Sequence, residues 1–95
     1  MASTSTINKV YVISESFHWG ENGGGGIVSV WASEQDAKRA FANLVAIYKK
    51  DYKSEGASSE ISETRAEFWH DGWYDDYNHY VSLDCFSVRG GASKR

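Results

Sequence analysis

One segment of this 95-residue chain has the apolar spacing of a helix, and the segments on both sides of it have the composition of strands. Ser33 followed by Asp36 resembles a capping box, in which a Ser side chain caps the first turn of a helix. Apolar residues then recur as they do on one helix face, at Ala37, Ala40, Phe41, Leu44, Val45, Tyr48 and Tyr52. We predict one amphipathic helix that begins after Ser33 and ends at residues 54–59 (SEGASS).

Two strands are predicted before this helix, at residues 9–17 (KVYVISESF) and 27–31 (IVSVW), because both segments are rich in β-branched and aromatic residues. Four consecutive glycines occupy residues 23–26. Since a run of glycines has no preferred conformation, we expect it to form a flexible hairpin loop. The short connection makes the two strands antiparallel neighbours.

Two more strands are predicted after the helix. Residues 61–70 (ISETRAEFWH) form the first, although their Glu, Arg and Ala residues also favour a short helix, and this alternative stays open. Residues 71–79 (DGWYDDYNH) are predicted to form a polar loop, and residues 80–88 (YVSLDCFSV) alternate like a strand. Val81, Leu83 and Cys85 share one face of that strand, so we expect Cys85 to lie in the core.

The predicted order β-β-α-β-β indicates the α+β fold class, with a four-stranded antiparallel sheet and the helix packed on one face. The other face would be open to water or to a partner. We expect a single domain over residues 1–95, with flexible tails at 1–8 and 90–95. A core of this size is compatible with a monomer or a homodimer.

The single cysteine cannot form an intramolecular disulfide, which is typical of a reducing compartment. Residues 1–6 are small and polar, unlike a signal peptide. No apolar stretch approaches the roughly 18 residues that span a bilayer. We therefore expect a cytoplasmic protein that does not bind membranes.

Acidic and aromatic residues are concentrated in the second half of the chain. From residue 55 to residue 84, eight acidic side chains and one basic side chain give a charge of −7, whereas the whole chain carries −3. Such a segment repels nucleic acid and attracts basic protein surfaces, and exposed Trp and Tyr residues are typical of recognition sites. We predict a partner-binding surface at Trp69, Asp71, Trp73, Tyr74, Asp75, Asp76 and Tyr77. In the alternative interpretation, Trp69 and Tyr80 belong to the core and the rest is an ordinary loop.

Two other functions stay open. The tryptophans could line a stacking pocket for a nucleotide-like molecule, formed by Trp19, Trp31, Trp69 and Trp73. A metal-dependent enzyme could use the metal-binding residue types at His70, Asp71, Asp75 and His79. Because this spacing matches no specific motif, we predict no cofactor, no metal site and no catalytic residue, and interpret the chain as a non-enzymatic protein.

Four segments resemble a loose group of small uncharacterised bacterial and phage proteins of β-β-α-β type: residues 10–13 (VYVI), 26–31 (GIVSVW), the Ser-Glu-x-x-Ala start of the helix at 33–37, and residues 81–88. The resemblance covers roughly half of the chain and implies a fold rather than a function. In size, acidity and lack of enzyme motifs, the chain is similar to phage-encoded inhibitors such as anti-CRISPR proteins. That similarity implies an inhibitor of a host defence complex that binds a basic surface meant for nucleic acid, in the cytoplasm of a bacterium or a phage-infected host cell.

Overall fold

A computed structural model describes residues 8–19, 22–70 and 76–88, and these residues form one helix and a five-stranded antiparallel sheet. The α+β fold class is confirmed. The elements in chain order are β1 (Lys9–Trp19), β2 (Asn22–Trp31), α1 (Glu34–Ser54), β3 (Ser58–Ile61), β4 (Arg65–His70) and β5 (Tyr77–Ser87). The strand order in the sheet is β2-β1-β5-β4-β3. No helix in the described residues is both long and apolar enough to span a membrane.

Helix α1 begins and ends as its sequence predicts. The Ser33 side chain accepts a hydrogen bond from the backbone N–H of Asp36 at 3.2 Å, which satisfies one free donor of the first turn. At the other end Gly56 adopts a positive φ of 81°, which glycine tolerates without strain. The backbone N–H groups of Glu55 and Gly56 bond to the carbonyls of Tyr52 and Lys53 and close the last turn.

The core lies between α1 and one face of the sheet. The helix contributes Ala37, Phe41 and Val45, as its apolar spacing predicts. The sheet contributes alternate residues of its three central strands, which are Ile13, Ala66, Phe68, Val81 and Leu83. Helix and sheet therefore form two layers, and the opposite face of the sheet is not covered by α1.

The prediction of four strands is wrong by one. The strand predicted at residues 61–70 is present as β4 but begins only at Arg65, and no short helix forms there. The additional strand β3 begins at Ser58, inside the segment predicted as a loop at residues 54–59, and forms a hairpin with β4. Strand β3 ends at Ile61 and β4 begins at Arg65, and the two pair antiparallel. The Ser62 hydroxyl accepts hydrogen bonds from the backbone N–H groups of Thr64 and Arg65 at 3.4 and 3.1 Å. Ser62 therefore stabilises a tight turn between β3 and β4. The composition of residues 61–70 does not indicate a turn at this position.

The prediction of a flexible loop at residues 23–26 is also wrong, because all four glycines belong to β2. They pair with Glu15 to His18 of β1, in a register that runs from Trp31 opposite Tyr11 to Asn22 opposite Trp19. Glycine has a low propensity for strands, but pairing with the long strand β1 satisfies its backbone groups. At Gly25 a β-carbon would lie only 2.4 Å from the carbonyl oxygen of Glu15, so the two backbones approach closely there.

Two further expectations change. Cys85 is exposed rather than part of the core, because β4 begins opposite Ser82 and leaves β5 without a neighbour on that side beyond this point. The predicted loop over residues 71–79 is shorter, since β5 begins at Tyr77. Residues 71–75 lie outside the described residues, as do residues 1–7 and 90–95 of the predicted tails.

Candidate functional site

The strand register brings aromatic side chains together at one end of the sheet. Trp19 of β1 lies opposite Tyr77 of β5, and His70 of β4 lies opposite Tyr77 on the other side. In the adjacent row, Phe17 and Phe68 lie on either side of His79. Both rows occupy the face that carries α1, near the C-terminal end of the helix.

An open pocket of about 640 Å³ lies at this end of the sheet. We call it the aromatic pocket, and its lining residues are Phe17, Trp19, Tyr52, Glu55, His70 and Tyr77. Trp19 is 55% exposed and Phe17 is 37% exposed, although both are large apolar side chains. Exposed aromatic residues around a concavity are typical of a binding site.

Tyr77 is the central ring of the aromatic pocket. Its ring is nearly parallel to those of Phe17, at a centroid distance of 6.5 Å, and His70, at 5.7 Å. The ring of Tyr52, from the last turns of α1, is 5.5 Å from it. These contacts come from three strands and the helix, so the rigid part of the fold holds the rings in place.

The aromatic pocket also has an acidic side. The Tyr77 hydroxyl donates a hydrogen bond of 3.0 Å to Oε1 of Glu55, the residue that follows the last turn of α1. The C-terminal end of a helix carries a partial negative charge. Glu55 and the helix end therefore make the electrostatic potential at this side of the pocket negative.

A second open cavity of about 500 Å³ adjoins the aromatic pocket and shares Phe17 and Trp19 with it. Its other described lining residues are Glu15, Asn22, Gly23, Gly24, Gly25 and His79. The glycines of β2 leave this space free of side chains. Phe17 and Trp19 line both cavities.

Beneath the pocket, His79 is only 5% exposed and both of its ring nitrogens have partners. Nε2 lies 2.7 Å from Oε1 of Glu15, and Nδ1 lies 2.7 Å from the hydroxyl of Tyr52. The Tyr48 hydroxyl donates to the same Glu15 oxygen at 3.0 Å. This network, which we call the His79 network, joins β1, α1 and β5.

The order carboxylate, imidazole, hydroxyl in the His79 network resembles the arrangement that activates a nucleophile. The pKa values of both tyrosines in the network are raised. Burial, followed by the charge of Glu55, raises the pKa of Tyr52, and burial together with the hydrogen bond to Glu15 raises the pKa of Tyr48 to about 12. Because the imidazole is buried and both of its ring nitrogens are bonded within the fold, the network is better explained as a satisfied buried polar cluster that fixes α1 on the sheet.

The opposite face of the sheet carries cross-strand polar contacts. The Ser14 and Ser82 hydroxyls are 3.1 Å apart, and the Arg65 guanidinium donates to Asp84 at 3.1 Å. Further along, the Asn78 amide donates to Glu67. Because these groups bond to one another, this stretch of the face forms a polar ladder and not a concave site.

The described residues of the predicted partner-binding surface do not all lie on one face of the sheet. Tyr77 lines the aromatic pocket, whereas Trp69 lies opposite Asn78 on the other face and is half-buried. Asp76 is exposed directly before β5. Asp71, Trp73, Tyr74 and Asp75 lie outside the described residues.

The residues of the two alternative functions are also separated. Trp19 lines the aromatic pocket, Trp31 packs at the other end of the sheet, and Trp69 lies on the opposite face. Within residues 8–19, 22–70 and 76–88, no group of three or more His, Cys, Asp or Glu side chains is arranged to hold a metal ion. The described residues do not include Trp73 of the predicted stacking pocket, nor Asp71 and Asp75 of the predicted metal site.

Three lining residues belong to none of the predicted sites, namely Phe17, Tyr52 and Glu55, whereas Trp19 was predicted only for the alternative stacking pocket and His70 only for the alternative metal site. Phe17 and Trp19 have the same parity as the buried Ile13, so alternation along β1 places them on the helix face once the strand continues to Trp19. Ending the predicted strand at Phe17 hid this signal. Glu55 and His70 depend on where α1 and β4 end, which the composition does not specify.

No protein-family model, curated protein sequence or solved structure shows a significant match to the chain.

Proposed function

We propose that the chain is a small non-enzymatic module that binds a basic surface of a protein partner through the aromatic pocket and the acidic segment that leads into β5. The observation that carries this proposal is the exposure of Trp19 and Phe17 beside the Glu55 carboxylate in one open pocket. Trp and Tyr side chains supply large rigid contact areas, and they dominate the binding energy of many protein interfaces.

Charge supports a basic partner. The segment from residue 55 to residue 84 carries −7, and it contributes Glu55, His70 and Tyr77 to the pocket. The acidic residues at positions 71, 75 and 76 lie in the connection between His70 and Tyr77, two lining residues of the same pocket. Clustered charge of one sign accelerates association with an oppositely charged surface and weakens binding to nucleic acid.

A binding role also agrees with the state of the polar groups at this end of the sheet. Both ring nitrogens of His79 are engaged within the fold, and burial raises the pKa values of Tyr48 and Tyr52 further above neutral pH. These groups stabilise the walls of the pocket.

The proposal includes a biological setting. A basic protein surface that an acidic module can occupy is often one that otherwise contacts nucleic acid, so the proposed partner belongs to a nucleic-acid-binding complex. Inhibition of a host defence complex by a phage-encoded, anti-CRISPR-like protein in the cytoplasm is the form of this proposal that the size and acidity of the chain favour.

The test is capture of a partner by the immobilised protein, followed by mass spectrometry, at low and high salt. We expect one stoichiometric protein with a basic surface, whose retention falls with salt and is lost in Trp19→Ala and in the Asp75→Asn/Asp76→Asn double variant. Ile47→Ala is the control, because Ile47 is exposed on the outer side of α1. Retention that is unchanged in both site variants would refute the role of this surface.

A flat small molecule is the second candidate, because the volume of the aromatic pocket and its four aromatic side chains suit a stacked ring. Glu55 disfavours a phosphate group, so this candidate is a nucleobase-like ring rather than a nucleotide. Chemical-shift changes in the pocket with adenine but not with AMP would support it, and the absence of changes with either would exclude it.

A further inference from the structure

We infer that the aromatic pocket is a site for a single organic cation, an ammonium or a guanidinium group. This inference deepens the proposed function and rests on it for the location of binding. The proposed function rests on charge complementarity over the whole surface and does not specify which chemical group enters the pocket. The inference specifies that group.

The first argument is the composition of the lining. Four of the six described lining residues are Phe, Trp or Tyr, one is Glu55, and none of the six is Lys or Arg. The faces of Trp, Tyr and Phe rings attract cations that lie within about 6 Å of the ring centre. Several rings around one concavity are the arrangement that recognises alkylated ammonium and guanidinium groups.

The second argument is the sign of the surrounding charge. Glu55 lies on the wall of the aromatic pocket, and Glu15 lines the cavity that adjoins it. The negative end of the 21-residue helix α1 points to the same place. These groups repel an anion and attract a cation.

The third argument is the fixed geometry of the acidic wall. Glu55 receives the Tyr77 hydroxyl at 3.0 Å, and Tyr77 packs against Phe17, Tyr52 and His70. The carboxylate and the central ring therefore hold each other in position before a ligand arrives. Such preorganisation reduces the entropy that is lost on binding.

Two sources can supply this cation, a free small amine or the Arg or Lys side chain of a partner protein. The probes are choline with its neutral isostere 3,3-dimethylbutanol, and N-acetyl-arginine amide with its neutral isostere N-acetyl-citrulline amide. Binding is followed by chemical shifts of the ¹⁵N-labelled full chain. Stronger binding of choline indicates a free amine, and stronger binding of the arginine derivative indicates a side chain.

We expect each cation to bind at least about fivefold more tightly than its neutral isostere, with shifts at Trp19, Tyr77 and Glu55. Glu55→Gln retains an acceptor for Tyr77 and should weaken cation binding about fivefold, as should Trp19→Ala. Glu60→Gln and Phe86→Ala are the matched controls, because they change an exposed acid and an exposed aromatic residue that do not line the pocket.

Equal binding of a cation and its isostere, or loss of cation binding in the controls rather than in the site variants, would overturn the inference. If no cation binds but Trp19→Ala still abolishes capture of a protein partner, the cation site is wrong and the proposed function stands. If choline binds and no protein partner is captured, the proposed function fails and the pocket serves a small amine.

Discussion

The four glycines of β2 provide a test of the fold, because a side chain at one of them would collide with the backbone of β1 whereas a side chain at the next would point into open space. A β-carbon at Gly25 would lie 2.4 Å from the Glu15 carbonyl oxygen and 2.9 Å from the Ser16 α-carbon, both of which are backbone atoms. A β-carbon at Gly24 would have no heavy atom within 4 Å. We therefore expect Gly25→Ala to destabilise the protein and Gly24→Ala to stabilise it.

The magnitude follows from the distances. To bring the contact at Gly25 from 2.4 Å to even 3.0 Å, strands β1 and β2 must separate locally by about 0.6 Å. Overpacking of this kind costs about 1–3 kcal/mol of unfolding free energy. At Gly24 the added methyl group mainly restricts the unfolded chain, which stabilises by about 0.4–1 kcal/mol. The two variants should differ by about 1.5–4 kcal/mol, which corresponds to at least about 5 °C in melting temperature.

Thermal and urea unfolding of the two variants, monitored by circular dichroism, measure this difference. Gly26→Ala is a second control, because its β-carbon would also meet nothing within 4 Å. Equal stabilities for Gly24→Ala and Gly25→Ala would refute the reasoning, since a glycine run that is not paired with β1 would tolerate both substitutions alike.

The His79 network and the start of α1 give three further tests. His79→Leu removes one of the two partners of the Glu15 carboxylate, together with the partner of the Tyr52 hydroxyl, and should lower the unfolding free energy by about 1.5–3 kcal/mol in urea; a variant as stable as the parent would contradict the role of the network. Because the pKa of Tyr48 is raised from 10.0 to about 12, its contribution to stability is complete below pH 10 and is lost as the pH rises to 12. Tyr48→Phe should therefore show a shallower loss of stability over this range, and an unchanged slope would count against the raised pKa. Ser33→Ala should cost about 0.5–2 kcal/mol, while Ser87→Ala at the end of β5 should change stability by less than about 0.5 kcal/mol.

Elements that are specified by neighbouring residues in the sequence could be predicted from it. Helix α1 has both an apolar period and a capping residue, Ser33, and these features need no distant partner. The elements that depend on a distant partner were predicted less well. The glycine run of β2 pairs because β1 lies beside it, and Cys85 is exposed because β4 begins too late to flank it.

The candidate site was predicted in part, through Tyr77 in the partner-binding surface and Trp19 in the alternative stacking pocket. Its other described residues come from the ends of β1, α1 and β4, so they meet only after the sheet has set the register of three strands. A linear search for acidic and aromatic residues finds the segment around Tyr77, but it cannot determine that Trp69 points to the other face. Alternation along each strand gives this information only when the strand ends are known.

The pairing of β1 with β5 at the centre of the sheet has a consequence for biosynthesis. Lys9 pairs with Ser87, and the pairing continues to Trp19 and Tyr77. During synthesis, β1, β2 and α1 leave the ribosome before the strand that completes their sheet exists. Until β5 is made, α1 lacks Val81 and Leu83 as packing partners, and its apolar face stays exposed to chaperones. The core can therefore close only after β5 has been made, and the pairing of the first strand with the last gives the fold contacts of long sequence separation, which slow folding.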